Sequence, residues 1–298
     1  MLFALIAAFI LSILLSYSFT KPLSKMKKTA LRLSHGDYTV QSGIKQNDEI
    51  GELSEVLDLL SNRLYDASQQ SEKLERMRRD FVANISHELR TPITVIRGSL
   101  EALCDKVVTD PKKMEDYHCQ MLSEAKYLQR LVGDLLDLSG LQNTDFAIEM
   151  QPVNVCDIVS DAAKSIEQLA QDKKISINTK TQSTCITLQG DYGRLRQMFL
   201  IILDNAVKFS HDNGRVDIFV YENQVTICDN GPGIDPEQLP YIFDRFYKTN
   251  HEQNKSGTGL GLAIAKQIAE RHGIKLYARN RQDGGAEFVF ELSMPAKT

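Results

Sequence analysis

The stretch DFVANISHELRTPITVIRG, Asp80 to Gly98, puts an imidazole, a carboxylate and a hydroxyl into one short piece of an otherwise amphipathic helical pattern. His87 and Glu88 adjoin, and Thr91 falls four residues after His87, one helical turn further along the same face. An imidazole is mostly neutral near pH 7 and has a ring lone pair to offer. A neighbouring carboxylate could take the proton from the other ring nitrogen and make the first more nucleophilic. Pro92 closes the group; it removes a helical hydrogen bond and weakens the helix just there. Taken alone, such a histidine is a surface residue with a chance acidic neighbour. His118 is read that way, as a structural residue on an apolar stripe, and His35, His211, His251 and His272 have no partners at catalytic spacing.

A second group of chemical residues lies downstream. Asp229-Asn230-Gly231-Pro232-Gly233 follows a strand-like run. A carboxylate there can accept from the exocyclic amine of adenine, which glycines let the backbone approach closely. Gly257-Thr258-Gly259-Leu260-Gly261-Leu262 leads into a helical pattern. Glycines at a helix N-terminus present backbone N–H groups to phosphates, and the helix dipole favours that charge. The polar run KTNHEQNKS before it reads as a mobile loop able to close as a lid. Asp283-Gly284-Gly285-Ala286 reads by itself as a hairpin turn between strands. Upstream, in QMFLIILDNAVKFS, Asn205 and Lys208 are three apart on one helix face. An amide oxygen there can ligand Mg²⁺ while the lysine meets phosphate oxygens.

Ordered elements must position these groups. The composition, 42% hydrophobic and 25% charged, is that of a globular chain, and 298 residues predict roughly two domains at about 150 residues each. A net charge of −4 gives no basic footprint for direct nucleic-acid binding. Five cysteines stand singly, with no C-x-x-C pair, and fit reduced thiols in a cytosolic compartment.

Leu2 to Thr20 holds no charged side chain, a run about long enough to cross a ~30 Å hydrocarbon core. A cleaved signal peptide would want a basic start and a small-x-small cleavage site. Lys21, Lys25, Lys27 and Lys28 follow, which places the remainder in the cytoplasm. With only Met1 before the span, no extracytoplasmic domain is expected; the chain is either minimal by nature or lacks an upstream half.

Pro22 suits the start of a fresh helix, and Leu23, Met26, Ala30 and Leu33 form a short seam. SHGDYTVQSGIKQNDE breaks it as a connector, and Ile50, Leu53, Leu57, Leu60 and Leu64 form a second seam. This pair, with Pro-Leu at its start and Asp-Glu-Ile-Gly-Glu-Leu opening the second helix, resembles a HAMP linker. The apolar steps continue through Leu74, Met77, Phe81 and Ile85, and a wide stripe runs from about Met114 to Leu141. Asp110 is the predicted N-cap of that helix, with Pro111 in its first position. A two-helix hairpin buries one face poorly, so a homodimer completing a four-helix bundle is expected. From Val153 onward helical pieces (155–172, 193–209) alternate with short strands (174–180, 185–189, 215–221, 224–229, 275–280, 286–292), an α+β domain.

Taken together these motifs resemble a sensor histidine kinase of the bacterial two-component class, over nearly the whole chain. FVANISHELRTPITVI resembles the H box of that family, ILDNAVKFS its N box and DNGPGI its G1 box. FDRFYK resembles the F box, GTGLGLAIAK the G2 box and DGGAEFVFEL a loose G3. The resemblance implies a multidomain chain: a transmembrane helix (1–20), a HAMP-like linker (21–72), a dimerisation and phosphotransfer helical hairpin (73–145), and a catalytic α+β two-layer ATP-binding sandwich (150–296) shared with DNA gyrase and MutL. It implies that His87 attacks the γ-phosphate of ATP and passes the phosphoryl group to an aspartate of a response regulator receiver domain.

By the same resemblance Glu88 is the base and Thr91 helps place a water that dephosphorylates the partner. Asn205, Lys208, Asp229, Gly231, Gly233, Gly257, Thr258, Gly259, Leu260 and Gly261 hold ATP, with Arg245 and Lys255 as further phosphate contacts and Asn205 as the Mg²⁺ ligand. Many relatives carry a second asparagine where this chain has Ile201, and Ala286 and Glu287 depart from the usual G3 pattern. A gyrase-type hydrolase would need a carboxylate base at position 201, and isoleucine cannot serve. The competing reading is a membrane-tethered dimeric scaffold with a degenerate nucleotide domain.

Overall fold

The structure, a computed structural model, describes residues 1–142, 148–182, 186–248 and 257–292. Lys255, His251, Cys185 and, apart from Lys248, the loop expected to act as a lid (248–256) lie outside the described residues. The chain divides into two compact units, Met1–Ala83 and Asn84–Thr298.

In the first unit, α1 (Leu2–Leu15) passes through a π-helical turn (Ser16–Thr20) into α2 (Lys21–Ser34). Pro22 explains the turn, because it has no N–H to give the Ser18 carbonyl one turn back. The Gln46 side-chain amide donates to that carbonyl instead, at 3.3 Å. Among the described residues this is one helix long and apolar enough to cross a membrane, and none of α1 is buried.

The connector from His35 to Asp48 packs on the start of α3 (Glu49–Cys104) through polar groups. Ser42, Ser54 and Ser61 are buried, and Ser61 Oγ donates to the Tyr38 and Val40 carbonyls at 2.8 and 2.6 Å. Asp58 accepts from the Ser42 N–H at 2.5 Å and from its hydroxyl at 3.1 Å. The expected apolar seams are therefore only partly buried within one chain. Met26 and Leu33 are buried with Thr29, while Leu23, Leu53 and Leu60 stay exposed. The face of α3 that grips the connector is Gly51, Ser54, Asp58 and Ser61, which leaves Leu53 and Leu60 exposed.

Asp58→Ala should strand the Ser42 N–H, while the Ser42 hydroxyl keeps Ser54 as a partner, at a cost of about 1–3 kcal/mol. The expected result is faster hydrogen exchange at the Ser42 and Gly43 amides by about 5-fold or more, read by mass spectrometry.

The second unit begins within α3, which runs unbroken through Pro92. The proline removes one rung without ending the helix. A short turn leads to α4 (Pro111–Gln142), whose Lys112 N–H donates to Asp110 Oδ1 at 3.0 Å, the expected cap. Leu131, Leu138 and Leu141 of α4 are buried, yet Leu122 and Val132 of its stripe are exposed, and so is His118.

The α+β part places three helices over a five-stranded sheet. Its elements are β1 (Gln151–Asn154), α5 (Val155–Asp172), β2 (Ser176–Thr181), β3 (Thr187–Gly190), α6 (Tyr192–Phe209), β4 (Arg215–Val220), β5 (Gln224–Cys228), α7 (Gly261–Arg271), β6 (Lys275–Asn280) and β7 (Ala286–Glu291). The sheet order is β2-β4-β5-β7-β6, with β2 and β4 parallel and the other pairs antiparallel. Strand β1, unanticipated from sequence, pairs with β3 in a separate ribbon. Its Pro152 is tolerated because a two-stranded ribbon consists of edges.

Alternation along β4 buries Val216, Ile218 and Val220, and the Phe199 and Phe290 rings, 4.8 Å apart, join α6 to the sheet. Asp191 caps α6 through Arg194 N–H at 3.0 Å and donates its own N–H to His272 Nε2 at 3.0 Å. His272 Nδ1 meets the Ile268 carbonyl at 2.7 Å, so this buried ring is the neutral Nδ1–H tautomer. Burial lowers its pKa, in keeping with a structural histidine.

Candidate active site

Strand β5 delivers Asp229 to a cavity of about 700 Å³. The walls come from α5, α6, the loop after β5, the start of α7, and Arg130 and Asp134 of α4. Asp229 is 4% exposed, and its Oδ1 accepts the N–H groups of Gly231 at 2.9 Å and Ala286 at 3.0 Å. Burial raises its carboxyl pKa above the usual range, while the two backbone bonds oppose that shift. One of these donors is local, while the other belongs to a segment 57 residues away that also braces the Asp229 backbone. The Asp229 N–H donates to the Ala286 carbonyl at 3.0 Å, and a Cβ on Gly285 would lie 2.1 Å from the Asp229 carbonyl oxygen.

Gly231 lies behind the cavity wall, where a Cβ would come within 2.4 Å of the Phe209 carbonyl oxygen. Gly233 lines the cavity at φ +79°, and Asn280 braces its neighbour by accepting the Ile234 N–H at 2.7 Å.

Asn205 and Lys208 of α6 both face the cavity, as their spacing predicts. Burial lowers the Lys208 pKa, and Asp204 beside it acts the other way. Lys173 donates to the Val207 and Lys208 carbonyls at 3.3 and 2.7 Å and brings another positive charge to the α6 C-terminus. Ile201 forms an apolar wall and packs on Gly261, whose Cβ would sit 3.3 Å from the Ile201 methyl.

Gly257, Thr258, Gly259 and Gly261 also line the cavity, and Leu260 is wholly buried as the N-cap of α7. The first-turn N–H groups of α7 therefore begin at the cavity wall, where anions are favoured. Gly259 has φ +73°, and a Cβ there would meet the Phe246 backbone at 2.9 Å. The Phe246 N–H donates to the Gly259 carbonyl at 2.8 Å. Arg245 is not among the cavity residues; its guanidinium meets the Gln142 side-chain amide at the end of α4.

On α3, His87 is exposed and Thr91 Oγ1 donates to the His87 carbonyl at 3.4 Å. Among the described hydrogen bonds, Glu88 pairs with groups from elsewhere in the chain. Lys248 Nζ lies 2.6 Å from Glu88 Oε2, and the Tyr127 hydroxyl of α4 donates to the same oxygen. Burial works to raise the Glu88 pKa, yet these two donors outweigh it and hold the carboxyl below its usual range.

Other polar bonds join α4 to the α+β part. Thr258 Oγ1 donates to Asp134 at 2.6 Å, and Asp137 accepts from Arg194 at 2.8 Å and Gln197 at 2.7 Å.

Three family models match the chain in order. They are a HAMP domain over residues 14–66, a His Kinase A (phospho-acceptor) domain over 77–144, and a histidine kinase-, DNA gyrase B- and HSP90-like ATPase over 190–296. The signal transduction histidine-protein kinase BaeS of Escherichia coli K12 is 31% identical over 297 residues, 98% of this chain and 61% of that protein. The chain belongs to the sensor histidine kinase family.

The phosphate regulon sensor protein PhoR of Pseudomonas aeruginosa is 36% identical over 73% of the chain and 50% of its own length. The chain thus spans between half and about three fifths of these curated relatives. The structure of the Acinetobacter baumannii histidine kinase AdeS superposes with a TM-score of 0.57 at 28% identity, over 70% of this chain and 98% of that one.

Sequence reasoning missed Tyr127, Asp134, Lys248 and the Ala286 backbone, whose hydrogen bonds appear only in the fold. Lys248 ends the F-box string and Tyr127 sits on the α4 stripe, but no local pattern pairs either with Glu88, 160 and 39 residues away.

Proposed function

We propose that this chain is a membrane-anchored protein-histidine kinase that phosphorylates His87 from ATP and passes the phosphoryl group to an aspartate on a response regulator receiver domain. The observation that carries the reading is Asp229. It is a buried carboxylate with one oxygen committed to two backbone donors, on a cavity whose other walls carry Lys208, Asn205 and the glycines before α7. The second oxygen is then the acceptor for the exocyclic amine of adenine. Lys208 and the α7 N-terminus suit the phosphates.

Among the described residues no three His, Cys, Asp or Glu side chains converge as a metal site. The donor set fits Mg²⁺ held by the Asn205 amide oxygen together with phosphate oxygens and water. The ion would neutralise phosphate charge. His87 supplies the lone pair, and Glu88, once unpaired, accepts the ring proton.

The domain limits remain those read above: anchor 1–20, HAMP-like linker 21–72, hairpin 73–145 and catalytic domain 150–296. The uncharged helix from Leu2 and the lysines after it support a bacterial plasma-membrane anchor with the catalytic part in the cytoplasm. Exposed leucines on α3 and α4 support a homodimer closing a four-helix bundle.

The test is incubation of the full chain in membrane vesicles with γ-labelled ATP and Mg²⁺. Acid-labile, alkali-stable label that a receiver domain then removes is the expected result. Nucleotide binding without label would favour the scaffold. Thr91→Ala should slow dephosphorylation of a labelled receiver domain by about 10²-fold, the scale of a misplaced reacting group; an unchanged rate would remove Thr91 from that role.

A further inference from the structure

We propose that Lys248 is a shared cation, which with Tyr127 holds the Glu88 carboxylate in this arrangement and is drawn off it by the terminal phosphate of a bound nucleoside triphosphate. The inference rests on the nucleotide-binding reading above and adds a coupling between the two halves of the reaction.

Three observations carry it. Lys248 Nζ lies 2.6 Å from Glu88 Oε2 and 3.4 Å from the Tyr127 hydroxyl, so ammonium, phenol and carboxylate form one cluster. Both donors fall on a single oxygen of the residue next to His87. Lys248 also lines the cavity, alongside the cations Arg130, Lys173 and Lys208.

A carboxylate that accepts two strong hydrogen bonds, one from a cation, is a poor proton acceptor. The lowered Glu88 pKa agrees with that. One ammonium on a flexible stem cannot satisfy both Glu88 and a phosphate at full strength. A triphosphate that takes Lys248 therefore removes the charged one of the two donors on Glu88 and leaves Tyr127, so the carboxylate becomes a better acceptor for the His87 ring proton when there is a phosphoryl group to receive. By reciprocity, Glu88 must weaken triphosphate binding by the same factor.

The test is a double-mutant cycle on nucleotide affinity in the full chain, independent of label transfer. The probes are a β,γ-imido ATP analogue and ADP, each with Mg²⁺, titrated against wild type, Glu88→Gln, Lys248→Met and the double variant. Glu88→Gln is near-isosteric on a helix surface and should fold. It should bind the analogue about 5-fold or more tightly and ADP unchanged, within the usual range of coupling between sites. In the Lys248→Met background the gain should vanish.

Equal analogue affinity in wild type and Glu88→Gln overturns the proposal. Equal tightening of both nucleotides also overturns it, since release of the docked hairpin would then explain the effect without competition for Lys248. If wild type binds neither nucleotide, the functional reading itself falls and takes this one with it.

Discussion

Replacing His87 by glutamine should abolish acid-labile labelling from γ-labelled ATP, a loss of at least about 10³-fold, the scale seen when a covalent nucleophile is removed. Glutamine keeps similar bulk and is a better helix former than histidine, so α3 should be undisturbed. His87 is exposed and is not among the residues lining the cavity. Nucleotide affinity should therefore stay within about twofold, which a fluorescent-nucleotide titration reads directly. This split between lost label and kept binding is what separates a phosphoacceptor from a residue that builds the site. Persistent label in the variant would move the phosphorylation site elsewhere, with His118, also exposed on the hairpin, the first place to look.

The second large effect is expected at Asp229. Asp229→Asn leaves a single side-chain oxygen to serve Gly231, Ala286 and the adenine amine, where the carboxylate has two. Losing a charge-assisted hydrogen bond in a buried site costs about 1.5–3 kcal/mol, so ATP and ADP affinities should fall together by about 10- to 100-fold. A parallel loss is the signature of an adenine contact, because both nucleotides carry the same base. Selective loss of ATP would place Asp229 with the phosphates instead and overturn the assignment.

Two neighbouring glycines separate backbone conformation from close approach in the same element. Gly284 and Gly285 have φ +90° and +87°, but a Cβ on Gly284 meets nothing within 4 Å. Gly284→Ala should carry mainly the conformational cost, about 1–2 kcal/mol. Gly285→Ala adds a 2.1 Å contact with the Asp229 backbone, so it should destabilise by more, about 3 kcal/mol or above, and displace Asp229. Denaturant unfolding compares the two variants, and nucleotide affinity should fall with the second only.

Much of this was legible beforehand because the signals were local. Asp110 and Pro111 announce the start of α4, and the 3.6-residue pattern from Val155 to Asp172 coincides with α5. The alternation in RVDIFV marks β4, and Asn205 and Lys208 share a face because helical residues three apart must. The apolar seams were legible as seams, but not which face one chain would use. Within a protomer the connector's polar groups claim the serine face of α3 and leave Leu53 and Leu60 outside.

The sequence by itself determined the order of elements, the nucleophile-like histidine with its acidic neighbour, and the glycine-rich phosphate-type loops, since each is written in consecutive residues or a short period. Only the tertiary structure decided what those groups touch. The Gly285–Ala286 turn, which reads alone as a plain hairpin, becomes the brace of Asp229 because β7 pairs with β5. Arg245, expected at the phosphates, meets the Gln142 amide in this arrangement, and Lys248, three residues on, lines the cavity and pairs with Glu88. Glu88, expected to serve His87, is held by Lys248 and Tyr127. The physical reason is the same throughout: side-chain hydrogen bonds depend on which backbones come within a few ångströms of each other, and packing across the whole chain sets that distance while sequence spacing does not.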